Sequence, residues 1–164
     1  MKRLKAIVLD VDGVLTDGGV WWGPSGDEWK RFSFADIMGV SLAMKSGIVV
    51  ALVSGEDSPL VDRFAAKMGI TDVEKNCKHK AQALRSIAQR RGLSMDEICF
   101  MGDDVNDLEA MQLAGLAAAP ASAVPAVLKM AAFISQKSGG NGAVRELVDA
   151  ILAAKTSEIG VRSA

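Results

Sequence analysis

The sequence predicts an α/β fold: a Rossmann-like, three-layer α/β/α arrangement around a central parallel sheet. Three observations predict it. Short apolar runs alternate with helical stretches, which argues for strands joined by crossover helices. The runs show no polar–apolar alternation, as expected of parallel strands covered on both faces. Three of the helical stretches stop at a glycine, the residue that best adopts the left-handed conformation past a helix end. At 164 residues the chain makes one domain, since domains usually run about 100–200 residues.

The elements follow in order. Leu4–Leu9 is an apolar run that ends abruptly in carboxylates. Gly18–Phe34 (GGVWWGPSGDEWKRFSF) is too polar and turn-rich for a crossover helix. Its β-type runs, around Val20-Trp21-Trp22 and over Trp29–Phe34, flank the turn Gly23-Pro24-Ser25-Gly26, so it reads as a β-hairpin flap after strand one. Asp36–Ser46 is helical and stops at Gly47; Ile48–Val53 is the next strand. Ser58–Met68 and Lys80–Arg91 are helices ending at Gly69 and Gly92. Ser94-Met95-Asp96-Glu97 has capping-box spacing ahead of a further strand, Ile98–Met101. After the loop Ser138-Gly139-Gly140-Asn141-Gly142 comes a last helix, Ala143–Lys155, and Thr156–Ala164 is polar enough to fray. Residues 139–164 form the C-terminal tail of the domain.

Composition bounds the function. The chain is 49% hydrophobic and 24% charged, which excludes disorder and collagen-like repeats. Nineteen Lys and Arg balance twenty Asp and Glu, so the basic footprint of a nucleic-acid binder is missing. Cys77 and Cys99 form no CxxC or Cys/His cluster and read as free thiols of a reducing compartment. The apolar run Ala6–Leu9 is too short for a signal-peptide core. The uncharged stretch Ala114–Leu128, broken by Gly115, Pro120 and Pro125, falls short of the ~20 apolar residues of a membrane helix. A cytoplasmic protein without membrane partners is expected.

Chemistry is expected at the carboxyl ends of the strands, where open parallel sheets bind ligands. The first strand runs into Asp10-Val11-Asp12-Gly13-Val14-Leu15-Thr16-Asp17-Gly18. Two carboxylates two apart in an extended segment would share a side, and a hard cation such as Mg²⁺ would answer their repulsion. Ser54-Gly55-Glu56 offers a hydroxyl and free N–H groups ahead of a helix, suited to phosphate. Lys80 opens a helix, and Gly102-Asp103-Asp104-Val105-Asn106-Asp107 follows Ile98–Met101. Each site alone has a plain structural reading: turn residues, a helix cap, a solvated lysine, complements to a helix dipole. Three acids with an asparagine exceed what capping requires.

Taken together, Asp-x-Asp, Ser, Lys and Gly-Asp-Asp-x-x-Asp at these places resemble the haloacid dehalogenase-like phosphatases along the whole chain. The segments Asp10–Gly18, Glu28-x-Lys30-x-Phe32 and Gly139-Gly140-x-Gly142-Ala143-Val144-Arg145-Glu146 are similar to its small capless branch. That branch includes phosphatases of 3-deoxy-manno-octulosonate 8-phosphate and of 2-keto-3-deoxynononate 9-phosphate. The resemblance implies no cap domain, a homotetramer in which a neighbour helps close each site, and Mg²⁺ as cofactor.

It also implies roles. Asp10 is the expected nucleophile and Asp12 the expected acid and base, with Asp10, Asp12 (through its backbone carbonyl) and Asp103 around the metal. Ser54, Gly55 and Lys80 are expected to hold phosphate, while Asp104 and Asp107 support the metal and its loop. Glu56, Arg63, Lys67 and Arg145 are expected substrate contacts. Gly55-Glu56 is similar to the nine-carbon branch, where the eight-carbon one has Gly-Arg, and Lys67 fits the same pattern. At ~1.5 Å per residue Lys67 lies roughly 15 Å beyond Glu56, so it is expected to serve a neighbouring subunit's site. The chain departs from the family at His79, where Asp is usual before the lysine, at Asn76-Cys77 in place of Gln-Gly, and at Phe64 in place of a second arginine. A non-catalytic oligomerisation module, as is fused to sialate cytidylyltransferases, is the competing expectation. A phosphotransferase or phosphomutase is less favoured, because such relatives carry a cap.

Overall fold

The computed structural model describes residues 1–156, so the expected fraying of Thr156–Ala164 lies, past Thr156, outside the described residues. A six-stranded parallel sheet forms its centre, in the order β5-β4-β1-β6-β7-β8. The strands are β1 (Ala6–Leu9), β4 (Val49–Val53), β5 (Asp72–Glu74), β6 (Ile98–Met101), β7 (Leu116–Ala119) and β8 (Phe133–Ile134). A separate antiparallel pair, β2 (Trp21–Trp22) and β3 (Glu28–Trp29), makes the flap.

The two faces of the sheet explain the unbroken apolar runs. Ile7, Leu9, Val50 and Leu52 face one core with helices α1 (Phe34–Lys45), α2 (Pro59–Met68) and α6 (Ala143–Thr156). Their neighbours Ala6, Val8, Ala51 and Val53 face the other core, with α3 (Lys80–Arg91), α4 (Leu108–Leu113) and α5 (Pro125–Met130). Successive side chains alternate across a strand, so two cores require apolar residues at every position. The three-layer α/β/α fold is therefore present, with no separate cap among the described residues.

Local chemistry sets the helix ends. Ser33 and Ser58 cap α1 and α2 by accepting from the backbone N–H of Ala35 and Leu60, and Pro59 opens α2. Gly69 and Gly92 close α2 and α3 in the left-handed conformation. The box at Ser94 and Glu97 caps a single 3₁₀ turn ahead of β6.

Some elements differ from the expectation. The flap's second strand is Glu28–Trp29 alone, and an isolated bridge joins Thr16 to Phe32 instead. The helix expected from Asp36 begins at Phe34. Strands β5, β7 and β8 and helix α5 carry no separate sequence signal, whereas α4 follows the helix start read at Gly102–Asp107. Strand β5 carries acids, of which Asp72 is paired by Arg90 and Arg91. Strand β7 is mostly alanine and β8 is two residues long.

The loop before α6 braces the first strand end. The Gly140 N–H donates to the Val14 carbonyl at 2.9 Å, and Gly139 passes so close to the Gly13 carbonyl that no side chain fits there. The buried Asp36 carboxylate accepts from the N–H groups of Gly142 and Arg145 at 2.9 and 3.1 Å, which docks the start of α6 onto α1.

Candidate active site

The carboxyl ends of β1, β4 and β6, neighbours in the sheet, open into a cleft of about 250 Å³. Asp10, Asp12, Gly18, Gly55, Glu56, Lys80, Asp103, Asp104 and Asn106 line it. Asp10 follows β1 directly and is buried. Its Oδ1 lies 2.8 Å from Lys80 Nζ, which is also 2.6 Å from Asp107 Oδ1. Lys80 is 2% exposed, so it is no solvated surface lysine.

The electrostatics follow from this crowding. Burial and the Asp107 carboxylate raise the pKa of Asp10 well above the ordinary carboxylate range, against the pull of Lys80. Burial opposes the charge on Lys80, but Asp10 and Asp107 outweigh it and raise the pKa of the ammonium. Burial, then Asp107, push Asp103 up to about 6.

The loop after β6 is organised from within. Asp107 Oδ2 accepts from the N–H groups of Asp103 and Asp104 at 3.0 and 3.2 Å, and Asp104 Oδ1 accepts from that of Val105 at 2.6 Å. Asp104 is therefore a capping residue. Asp107 is wholly buried and joins the loop to Lys80. On the other side the buried Ser54 accepts from the Glu56 N–H at 3.1 Å, which curls the loop after β4 toward the cleft.

One expectation is corrected. Asp10 and Asp12 do not project together from an extended segment, because the chain turns immediately after Asp10. Asp10 meets Lys80, while Asp12 Oδ1 lies 2.8 Å from the flap residue Lys30. Both line the cleft, yet they are held by different elements. Among the described residues, Asp10, Asp103 and Asp107 place carboxylate oxygens within 4.8 Å of one another. Asp107 is committed to Lys80 and two N–H groups, whereas Asp10, which shares Lys80 with it, and Asp103 both line the cleft and can turn oxygens toward a cation. An all-oxygen set of this kind suits a hard cation such as Mg²⁺, which is bound through one or two carboxylates plus substrate phosphate.

Of the expected substrate contacts, only Glu56 lines this cleft. Arg63 and Lys67 line a groove of about 330 Å³ with Trp29, Lys30, Phe34 and Leu60, where Lys67 Nζ is 5.9 Å from the Phe34 ring centroid. Arg145 is not there either. Its guanidinium pairs with Asp149 one turn along α6, at 2.8 Å, the ordinary fate of an exposed i,i+4 pair. Asn106, the asparagine among the three acids, and Gly18, at the end of the Asp10–Gly18 segment, also line the cleft. Lys30, which the sequence marks through the motif Glu28-x-Lys30-x-Phe32, reaches the site through Asp12.

Residues 56–147 match the haloacid dehalogenase-like hydrolase family. The chain belongs to the haloacid dehalogenase-like hydrolases. Its similarity to 3-deoxy-D-manno-octulosonate 8-phosphate phosphatase of Escherichia coli K12 is 34% identity over 154 residues, covering 94% of this chain and 82% of that one. A haloacid dehalogenase-superfamily (subfamily III A) hydrolase from Legionella pneumophila superposes with a TM-score of 0.93 at 40% identity, over 94% of this chain and 85% of the other. The Moraxella catarrhalis 3-deoxy-D-manno-octulosonate 8-phosphate phosphatase, solved with magnesium, phosphate and the sugar acid, superposes with a TM-score of 0.91 at 32% identity, over 98% and 94% of the chains. This haloacid dehalogenase-like hydrolase is a phosphatase, and Mg²⁺ is its cofactor.

Proposed function

We propose that the chain hydrolyses the phosphomonoester of a 2-keto-3-deoxy sugar acid through an aspartyl-phosphate on Asp10. The observation that carries this reading is the buried Asp10 carboxylate, 2.8 Å from Lys80 in a cleft that also holds Asp12 and Asp103. Asp10 attacks phosphorus while Asp12 gives its proton to the departing alkoxide, so the P–O bond breaks as the Asp10–P bond forms. Asp12, now a carboxylate, takes a proton from the water that cleaves the acyl phosphate, and Asp10 is regenerated. Ser54, the Gly55 N–H and Lys80 hold phosphoryl oxygens, the positioning and charge-stabilising work that dominates phosphoryl transfer. Mg²⁺, held by Asp10, Asp103 and the Asp12 carbonyl, would neutralise charge on the phosphoryl group. A retired oligomerisation module has no use for this complete set.

Glu56 supports the finer choice of 2-keto-3-deoxynononate 9-phosphate, a sialic-acid-type substrate. It is the one expected specificity residue on the cleft wall. A carboxylate there repels a second anion but accepts from sugar hydroxyls. The names of the similar phosphatases favour the eight-carbon 3-deoxy-manno-octulosonate 8-phosphate, a lipopolysaccharide precursor, as the second reading. The test is kcat/KM for both substrates on the wild type and on Glu56→Arg. The nine-carbon substrate is expected to win on the wild type and lose its lead in the variant; an eight-carbon lead on the wild type overturns the choice.

The reading carries a cytoplasmic homotetramer. Trp21, Trp22, Trp29 and Phe34 are 53%, 75%, 53% and 80% exposed, an apolar display that suits an interface. Arg63 and Lys67, in the groove beside Trp29 and Phe34, would then serve a neighbour's site. A monomer by light scattering at micromolar concentration contradicts it. Among the described residues no helix is long and apolar enough to cross a membrane.

A further inference from the structure

Lys30 stands on β3's exit from the flap, yet its side chain is only 6% exposed because the ammonium turns inward. Its Nζ lies 2.8 Å from Asp12 Oδ1 and 3.5 Å from Glu28 Oε1. Glu28 is itself fixed: Ser58 Oγ donates to its Oε1 at 3.0 Å, and Trp22 Nε1 donates to its Oε2 at 3.4 Å. Ser58 is the N-cap of α2, the helix that follows the Ser54-Gly55-Glu56 loop. A continuous polar chain thus runs from the phosphate loop's helix through Glu28 and Lys30 to Asp12.

Asp10 is braced by Lys80 and the sheet, whereas Asp12 sits on a turn with its carboxylate 31% exposed. Among the described residues, Lys30 is the side chain that ion-pairs with it. A carboxyl group that must meet a leaving oxygen gains from being held, since a misplacement of about 1 Å can cost roughly 10²-fold in rate.

We propose that Lys30 is a positioning residue that holds the Asp12 carboxyl group against the leaving-group oxygen and ties that position to the flap and to α2. This rests on the acid role of Asp12 proposed above. The flap then contributes directly to leaving-group departure. Glu28 sets the ammonium's place, and Ser58 sets that of Glu28.

The experiment is a series of substituted phenyl phosphates, all of similar size, assayed with Mg²⁺ for kcat/KM against leaving-group basicity. Nitrophenolate departs without a proton; the more basic phenolates need one. Asp12→Asn gives the benchmark of a steepened dependence. Lys30→Met is expected to steepen it likewise, losing at least about tenfold more on phenyl phosphate than on 4-nitrophenyl phosphate. Lys30→Arg, which keeps the cation, is expected to recover most of that difference. Equal losses across the series, with Asp12→Asn still steepened, overturn the assignment of Lys30. An unchanged dependence in both overturns the acid role of Asp12 and Lys30's role with it. Should Lys30→Met not fold, Glu28→Gln carries the same measurement: a steepened series supports the proposal, and a parallel one overturns it.

Discussion

Asp103 rests its carboxylate on Gly13. The glycine adopts φ +85°, and a Cβ built on it would lie 2.5 Å from the Asp103 Cγ and overlap Oδ2. Gly13→Ala is expected to displace Asp103 and to add left-handed strain of about 1–3 kcal/mol. Thermal melts with Mg²⁺ and with a chelator check this. The variant should melt lower than wild type and gain less from the cation.

The pH dependence of the cation's effect follows from Asp103. Its pKa is raised from 3.8 to about 6 in the folded protein. The group's contribution to the metal-free fold is fully present below 3.8 and is lost as pH rises through about 6. Mg²⁺ needs the ionised carboxylate, so its stabilisation should grow over the same window. Melts of the chelated protein from acid to neutral pH should show this group's contribution falling while the Mg²⁺-induced gain rises. Asp103→Asn should flatten both trends.

Lys80 is the counter-charge for two buried acids. Lys80→Met leaves Asp10 and Asp107 facing each other, and breaking a buried pair in this way costs about 3–5 kcal/mol. Denaturant unfolding of Lys80→Met, Asp107→Asn and the double variant tests it. The double variant should lose less than the sum of the singles, while all three should lose phosphatase activity.

The central strands and the chemistry at their ends were legible because both rest on local patterns. Ala6–Leu9, Val49–Val53 and Ile98–Met101 had to be apolar throughout to serve two cores, and that pattern needs no partner to be read. Lys80–Arg91 carries its own stop at Gly92. The outer strands were not legible: Asp72–Glu74 is a strand only because β4 pairs it and Arg90 and Arg91 neutralise Asp72. The site divides along the same line. Asp10 and Asp103 announce themselves as carboxylates at strand ends, whereas the burial of Lys80 and the Lys30–Asp12 pair depend on contacts between distant segments. Arg145 and Lys67 rest on resemblance, and within one subunit neither lines the cleft.

The most direct measurement is phosphate release from 2-keto-3-deoxynononate 9-phosphate and 3-deoxy-manno-octulosonate 8-phosphate by the wild type and by Asp10→Asn, each with Mg²⁺ and with a chelator. An amide in place of Asp10 is a poor nucleophile and a poor metal ligand. Of these two, only the wild type with Mg²⁺ is predicted to release phosphate; Asp12→Asn, assayed alongside, is predicted to release it more slowly by about 10²–10⁴. Turnover by Asp10→Asn near the wild-type rate, or full wild-type turnover in chelator, would contradict the account.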